Sequence, residues 1–340
     1  MVNRNDLARE IQLQVLSVAV EHYVDGADAF LITVNIWDGM EQELRWLDDG
    51  AFPEGSGVEI HMGYGEDLEQ MIVGEIVALE VEAGAEMPPI LRVEGYDKLH
   101  RFRRGRKTRS FSEVKDSQVA EQIAQEMKLT AEVENSEIVH AHLFQYNQTD
   151  IDFLQERARR INYELLIENG TLRFRKAANY LGKLEELSYR DNLKSFSVRL
   201  TTLSQVGQVV VKGWNPVSKE AIVGLGQPGD ETTKMGGNDL GVAITTGAFG
   251  ESKRLILDKP VFNQAEANQM AKAIFNSMSL QFIKGEGEAI GNPRLRAGQV
   301  VEILNLGERF SGLYYLTSCH HVIDSGGYLT HFTCQRNATT

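Results

Sequence analysis

Cysteine is nearly absent: Cys319 and Cys334 are the only two in the chain. That excludes a disulfide framework and points to a reducing compartment. Proline is scarce too, seven against thirty-one glycines, which suits a chain built of strands and turns. No run of about 18 apolar residues exists, so no membrane span is expected. The opening MVNRNDLARE is polar and does not read as a signal peptide. Cations are in deficit. Lys and Arg number 35 and Asp and Glu 48, a formal charge of −13 that argues against general nucleic-acid binding. Catalytic signatures are missing as well. There is no G-x-S-x-G elbow, no H-E-x-x-H and no carboxylate pair that stands out by spacing, so the chain reads as a non-enzyme.

What remains is an ordinary globular composition, 42% hydrophobic and 24% charged, over 340 residues, enough for two or three domains. Gln12 to Val20 and Ala29 to Trp37 read as strands joined through Asp25-Gly26. Phe30, Ile32, Val34 and Ile36 give the second strand one apolar face. Residues 38–50 are acidic and read as a helical turn or an excursion from the sheet. Phe52 to Glu82 holds two strands, the second starting near Met71, with Gly74 suited to a bulge or a close backbone approach. Ile90 to Gly95 is a further strand.

The centre of the chain is Leu91 to Lys176. A helix starting at Asp116 or Ser117 carries Val119, Ile123 and Met127 on one face. A second, capped by Thr149 with Asp152 three residues on, carries Ile151, Leu154, Ala158 and Ile161. Arg157, Arg159 and Arg160 gather toward its end, and Asn162 suits its C-cap. Tyr163 to Ile167 and Thr171 to Phe174 form a hairpin across Asn169-Gly170. Ahead of the helices lies a basic loop: Arg101, Arg103, Arg104, Arg106, Lys107 and Arg109, with no acid among residues 101–109. Removing those six charges from −13 leaves −19 for the rest. The run therefore reads as a contact toward acidic faces of a neighbouring subunit or the baseplate. Phe102 and Phe111 do not make a stacking platform for nucleic acid.

Residues 177–191 read as a polar connection. Ser195 to Leu200 and Gln208 to Trp214 read as strands, and Gly224 to Gly250 as a glycine-rich loop. Asn263 to Leu280 is a helix with an Asn263–Glu266 cap and a stripe of Ala267, Met270, Ile274 and Met278. Residues 285–298 read as turns, and strands follow at Val300 to Leu304, Leu313 to His321 and Tyr328 to Gln335.

An internal echo links the ends. Gly57, Glu59-Ile60 and Val73-Gly74-Glu75-Ile76 are repeated as Gly298, Glu302-Ile303 and Ser311-Gly312-Leu313-Tyr314. The expected fold is thus α+β and mostly β. Two related small β-barrels flank a helix-containing module, with a helical insertion in the second barrel. The boundaries are 1–97 for the first barrel, 98–190 for the middle module, 191–224 with 284–340 for the second barrel, and 225–283 for the insertion.

Three sharper motifs give way to plainer readings. G-x-G-x-x-G at Gly224, Gly226 and Gly229 is interrupted by Pro228 and is not followed by a helical pattern, so it reads as a loop and not a dinucleotide site. His140 and His142 share a strand face, and His331 lies across from His320 or His321 near Cys319 and Cys334. Without tight ligand spacing these read as sheet residues, and a Cys319–Cys334 disulfide is not expected. No cofactor or metal is implied.

The wording GYD (95–97), RGRKTRSF (104–111) and FLQERARRINYE (153–164) resembles the phage late control D family. The resemblance extends over residues 12–337, through GVEIHMGYGED (57–67), VKGWNPVSKEAI (211–222), NQAEANQMAKAIF (263–275), RLRAGQVVEILNLGERFSGLYYLTSCHH (294–321) and GYLTHFTCQRN (327–337). It implies the baseplate hub of a contractile phage tail or injection system, with a fold shared by the N-terminal part of VgrG proteins. It further implies a homotrimer that joins a hexameric inner tube protein to a trimeric spike protein. Other baseplate proteins are further partners, and cargo can occupy the lumen. VgrG chains continue past the hub into their own spike, whereas this sequence stops after QRN, so the spike is expected as a separate polypeptide. The implied location is the bacterial cytoplasm during assembly, then an injection particle or virion tail. The alternatives are the tail-tip hub of a non-contractile phage and, from another class, a tail-associated peptidoglycan hydrolase.

Overall fold

The computed structural model describes residues 1–3, 5–48, 50–85, 87–168 and 170–339. Its strands of five residues or more are numbered here in chain order. β1 to β5 are Val15–Tyr23, Ala29–Asn35, Gly57–Tyr64, Asp67–Glu82 and Ile90–Asp97. β6 to β9 are Lys107–Lys115, Val139–Gln148, Tyr163–Glu168 and Thr171–Lys176. β10 to β13 are Leu193–Leu200, Gln208–Asn215, Glu220–Gly226 and Ile283–Ile290, and β14 to β16 are Val300–Leu304, Gly312–Asp324 and Gly327–Arg336. The longer helices are α1 (Asp116–Glu126), α2 (Asp150–Arg160), α3 (Gly241–Phe249) and α4 (Gln264–Leu280). The chain is α+β and mostly β.

One eleven-stranded sheet organises it, running β10-β13-β16-β15-β1-β2-β5-β4-β3. β14 adds to β15, and the short strand Glu185–Ser188 runs parallel to β14. The two lobes expected as separate barrels are therefore one continuous sheet, joined where β1 pairs with β15 from Val18↔Ile323 to Tyr23↔Ser318. No pairing between the two ends of this path is found among the described residues.

Each lobe nonetheless has its own core. Alternation on β2 sends Phe30, Ile32 and Val34 inward with Ile36, Met62 and Val93. The other lobe buries Phe282, Tyr314, Leu316 and Phe332. The echoed segments occupy matching positions, each an antiparallel pair: β3 with β4, and β14 with β15. Gly74 faces Val58 and Gly312 faces Ile303, so the registers differ by two residues, which keeps every side chain on the same face. Gly74 makes the close approach that its position suggested: a Cβ there would lie 2.6 Å from the Tyr96 carbonyl oxygen.

Several local expectations give way to packing. Residues 285–290, read as turns, belong to β13, because Gly285 and Gly287 leave room for Phe196 and Phe332 to lie across the strand. The supposed loop 224–250 contains the end of β12 and all of α3. β11 pairs with β12 on one side and with Lys253–Ile256 on the other, a separate three-stranded sheet. That sheet lies on α4 and buries Val209, Val211, Ile222, Met270 and Phe275. Gly224 and Gly226 sit where the strand meets the helix backbone; a Cβ would come 2.1 Å from the Ala267 oxygen and 2.3 Å from the Ala271 oxygen.

The middle module packs α1 and α2 on the hairpin β8–β9 and the ribbon β6–β7, around Phe102, Ile123, Leu154 and Phe174. Thr149 caps α2 as expected, accepting from Asp152 N at 3.2 Å. Asp116 does not cap α1. Lys115 occupies that place and Asp116 is buried in the first turn. The β8–β9 register closes at Glu168↔Thr171. Gly170 has φ 76°, and Asn169 of the expected turn lies outside the described residues. Trp37–Asp38 pairs with Glu43–Leu44 apart from the main sheet, so residues 37–48 form an arm; Asp49 of the expected excursion lies outside the described residues.

Candidate interaction surface

The basic run is not a loop. Lys98–Arg103 is a 3-10 helix capped by Asp97, which accepts from Leu99 N at 2.8 Å, and it is anchored by the buried Leu99 and Phe102. Lys107 onward is β6, which leaves only residues 104–106 as a connection.

Four of the six cations are engaged within the chain. Arg101 and His100 both reach Glu75, Arg101 Nε to Oε2 at 2.8 Å and His100 Nε2 to Oε2 at 3.0 Å. Lys107 Nζ and Arg109 Nη2 hold the two oxygens of the buried Asp150 at 2.6 and 2.8 Å. Asp150 starts α2, so its charge also meets the positive end of the helix dipole. Arg109 forks onto Glu126 as well and lies over Phe111, 5.0 Å from the ring centre. Arg106 donates to the Asn147 carbonyl at 2.7 Å. Arg103 and Arg104 are exposed and make no ion pair among the described residues.

On the ribbon, the outer face of β7 carries a row of rings. His142, Phe144 and Tyr146 stack along the strand with centres 6.3 and 5.8 Å apart. Tyr146 is 69% exposed and Phe144 52%. Ser112 and Ser110 face His142 and Phe144 from β6, too small to cover them. Arg106 on Asn147 and Thr108 on Asn147 N bring the 104–106 connection next to Tyr146. The result is an apolar, cationic patch on an acidic chain.

Three buried charge clusters went unread in the sequence. Asp116 takes Arg157 Nε at 2.5 Å and His140 Nε2 at 3.0 Å, and His140 Nδ1 lies 3.8 Å from Glu266 of α4. Burial opposes ionisation of Asp116, but His140 and Arg157 outweigh it and hold its carboxyl below the usual range. At the lobe junction, His22 Nδ1 donates to Asp28 at 2.7 Å, and Arg296 Nη1 donates to His22 Nε2 at 2.6 Å. Asp28 N in turn donates to Asp97 at 3.1 Å. Burial, with help from the Arg296 charge, keeps His22 neutral, and burial pushes Asp28 up to about 8. The third cluster joins Glu164 of β8 to the Tyr315 hydroxyl of β15. Burial raises Glu164 to about 8 against the pull of Arg175. The only signal for these groups was polar residues inside apolar stretches, such as His22 in VAVEHYV.

The histidine and cysteine groups separate. His140 is buried on Asp116 while His142 is exposed on Phe144. His320 faces His331 across β15–β16, and His321 turns inward to the Leu295 carbonyl at 2.9 Å. Cys319 and Cys334 are buried free thiols. Among the described residues no three His, Cys, Asp or Glu side chains converge as a metal site, and no helix is long and apolar enough to cross a membrane.

The family model described as Alg8 N-terminal domain matches residues 1–325. The chain belongs to that family. No curated protein matches it. Among solved structures, the chain is similar to the 43 kDa tail protein of prophage MuSo2 from Shewanella oneidensis. The two share 12% identity, 95% of this chain and 94% of that one, with a TM-score of 0.68. It is similar also to the tail protein from Neisseria meningitidis MC58, at 12% identity, 95% and 92% coverage and a TM-score of 0.68. The third is the E. coli c3393 protein, a component of the type VI secretion system, at 10% identity, 96% and 74% coverage and a TM-score of 0.61. At such identities the likeness shows the fold: the chain has the fold of phage tail and type VI secretion proteins.

Proposed function

We propose that the chain is the hub of a baseplate, a homotrimer that adapts a hexameric inner tube to a trimeric spike and does no chemistry of its own. The observation that carries this reading is the tail-protein fold, shared over 95% of this chain and 94% of the MuSo2 tail protein. Two lobes with echoed hairpins fit the role, because three copies of a two-lobed chain present six similar units to a sixfold ring. The wording shared with the late control D family supports the same reading. In it, three copies meet by heterologous contacts around a threefold axis, and other baseplate proteins dock outside. The particle is assembled in the bacterial cytoplasm. The basic run supplies a contact surface. Arg101, Arg106, Lys107 and Arg109 hold its shape, and Arg103 and Arg104 reach outward.

Light scattering on the purified chain tests the reading. A mass near three times 38.0 kDa is expected, growing by one spike trimer when the candidate spike is added. A chain that stays monomeric with tube and spike proteins present overturns it. A zymogram on peptidoglycan is expected to show no clearing.

A further inference from the structure

The arm and the basic ribbon are complementary, and among the described residues no hydrogen bond or ion pair joins them within one chain. The arm leaves β2 at Asn35, which pairs with Ile90, while the other end of β2, Ala29, pairs with Tyr96 just before the helix Lys98–Arg103. Seven strand residues separate them, about 20 Å at roughly 3.3 Å per residue.

The arm is a shaped projection. Asp38 accepts from Met40 N at 2.9 Å and Glu41 N at 3.2 Å, and Arg45 closes on Asp38 at 2.7 Å. This turn holds Met40 out at 94% exposure, with Leu44 at 44% and the exposed acids Glu41 and Glu43 beside it. The ribbon and the connection leading into it offer the converse: exposed Arg103 and Arg104, in no ion pair among the described residues, and along β7 the half-exposed rings of Phe144 and Tyr146. Thioether against aromatic rings and carboxylates against guanidinium forks are both favourable pairings.

We infer that the arm of one copy, residues 37–48, docks on the 103–104 and 142–146 surface of the next, so that the contact is head-to-tail and closes a ring. The inference rests on the self-assembling hub reading and names the partner of the basic surface as a second copy of this chain. A patch meeting a different patch gives a heterologous contact, which is the kind that builds rings. A rim of exposed charge steers such an encounter and weakens with salt.

Sedimentation velocity on the purified full chain tests it, with R103E/R104E, E41K/E43K and the four substitutions combined in one chain. All four positions are exposed, so the melting temperature reports any misfolding separately. Each double variant is expected to raise the half-assembly concentration roughly tenfold or more, and the combined chain to regain the ring. Mixing the two double variants gives a sharper outcome. Favourable contacts then exist only between unlike copies, and a ring of three cannot alternate, so pairs form and trimers do not. A wild-type trimer indifferent to all four changes overturns the docking and leaves the hub reading standing. So do losses that the combined chain fails to restore. A wild-type chain that never associates overturns both.

Discussion

Asp28 and Glu164 are acids that burial keeps protonated near neutrality, each with a pKa of about 8. The consequence for stability has a definite sign. Their folded pKa lies above the unfolded value near 4, so the native state holds more protons than the unfolded chain between about pH 4 and 8. Their contribution is full below that window and is lost as pH rises through it, by up to about 1.4 kcal/mol per pH unit for each group. Thermal melts from pH 5 to 8 are expected to show a falling midpoint, with a shallower fall in Asp28→Asn and Glu164→Gln. Equal slopes in wild type and variants would discard this account. Glycine gives a second test at this scale. Gly224→Ala places a methyl against the backbone of α4 and is expected to cost about 1–3 kcal/mol. Gly57→Ala, which meets nothing within 4 Å, is expected to be near neutral in the same urea titration.

At the scale of elements, caps and stripes were legible and buried charge was not. Thr149 and Asn263 cap α2 and α4 as their spacing says, because a cap is decided within four residues. Asp116 has the same local credentials, yet its carboxylate is taken by Arg157 and His140, 41 and 24 residues away. No local rule contains that partner. Arg157→Met is expected to strand Asp116 and cost about 3–5 kcal/mol by urea denaturation, whereas Asp116→Leu with Arg157→Met regains most of it. The glycines misled for a related reason. GEGEAI reads as turns, but the rings of Phe196 and Phe332 fill the space over Gly285 and Gly287 and make it a strand. The G-x-G of β12 reads as a loop until α4 is seen pressed onto it. The basic run was visible as charge; that Arg103 and Arg104 are the two of the six cations in neither an ion pair nor a side-chain hydrogen bond among the described residues depends on Glu75, Glu126, Asp150 and Asn147, none of them local.

At the scale of the molecule, strand alternation and turn residues made a mostly β chain legible. They did not say that the lobes share a sheet, since strand pairing across three hundred residues leaves no periodic trace. β15 is the element responsible: it takes β16 along one edge, and β14 and β1 in succession along the other. That arrangement also sets an order in time. Val18 must wait for Ile323 before its edge is covered, so during synthesis the first lobe stands with a bare strand edge until some three hundred further residues have left the ribosome. Bare edges recruit other chains, and contacts this distant in sequence form slowly. The β15–β16 hairpin is thus the one that removes the hazard, and the interval before it arrives is when this protein is most open to misassembly.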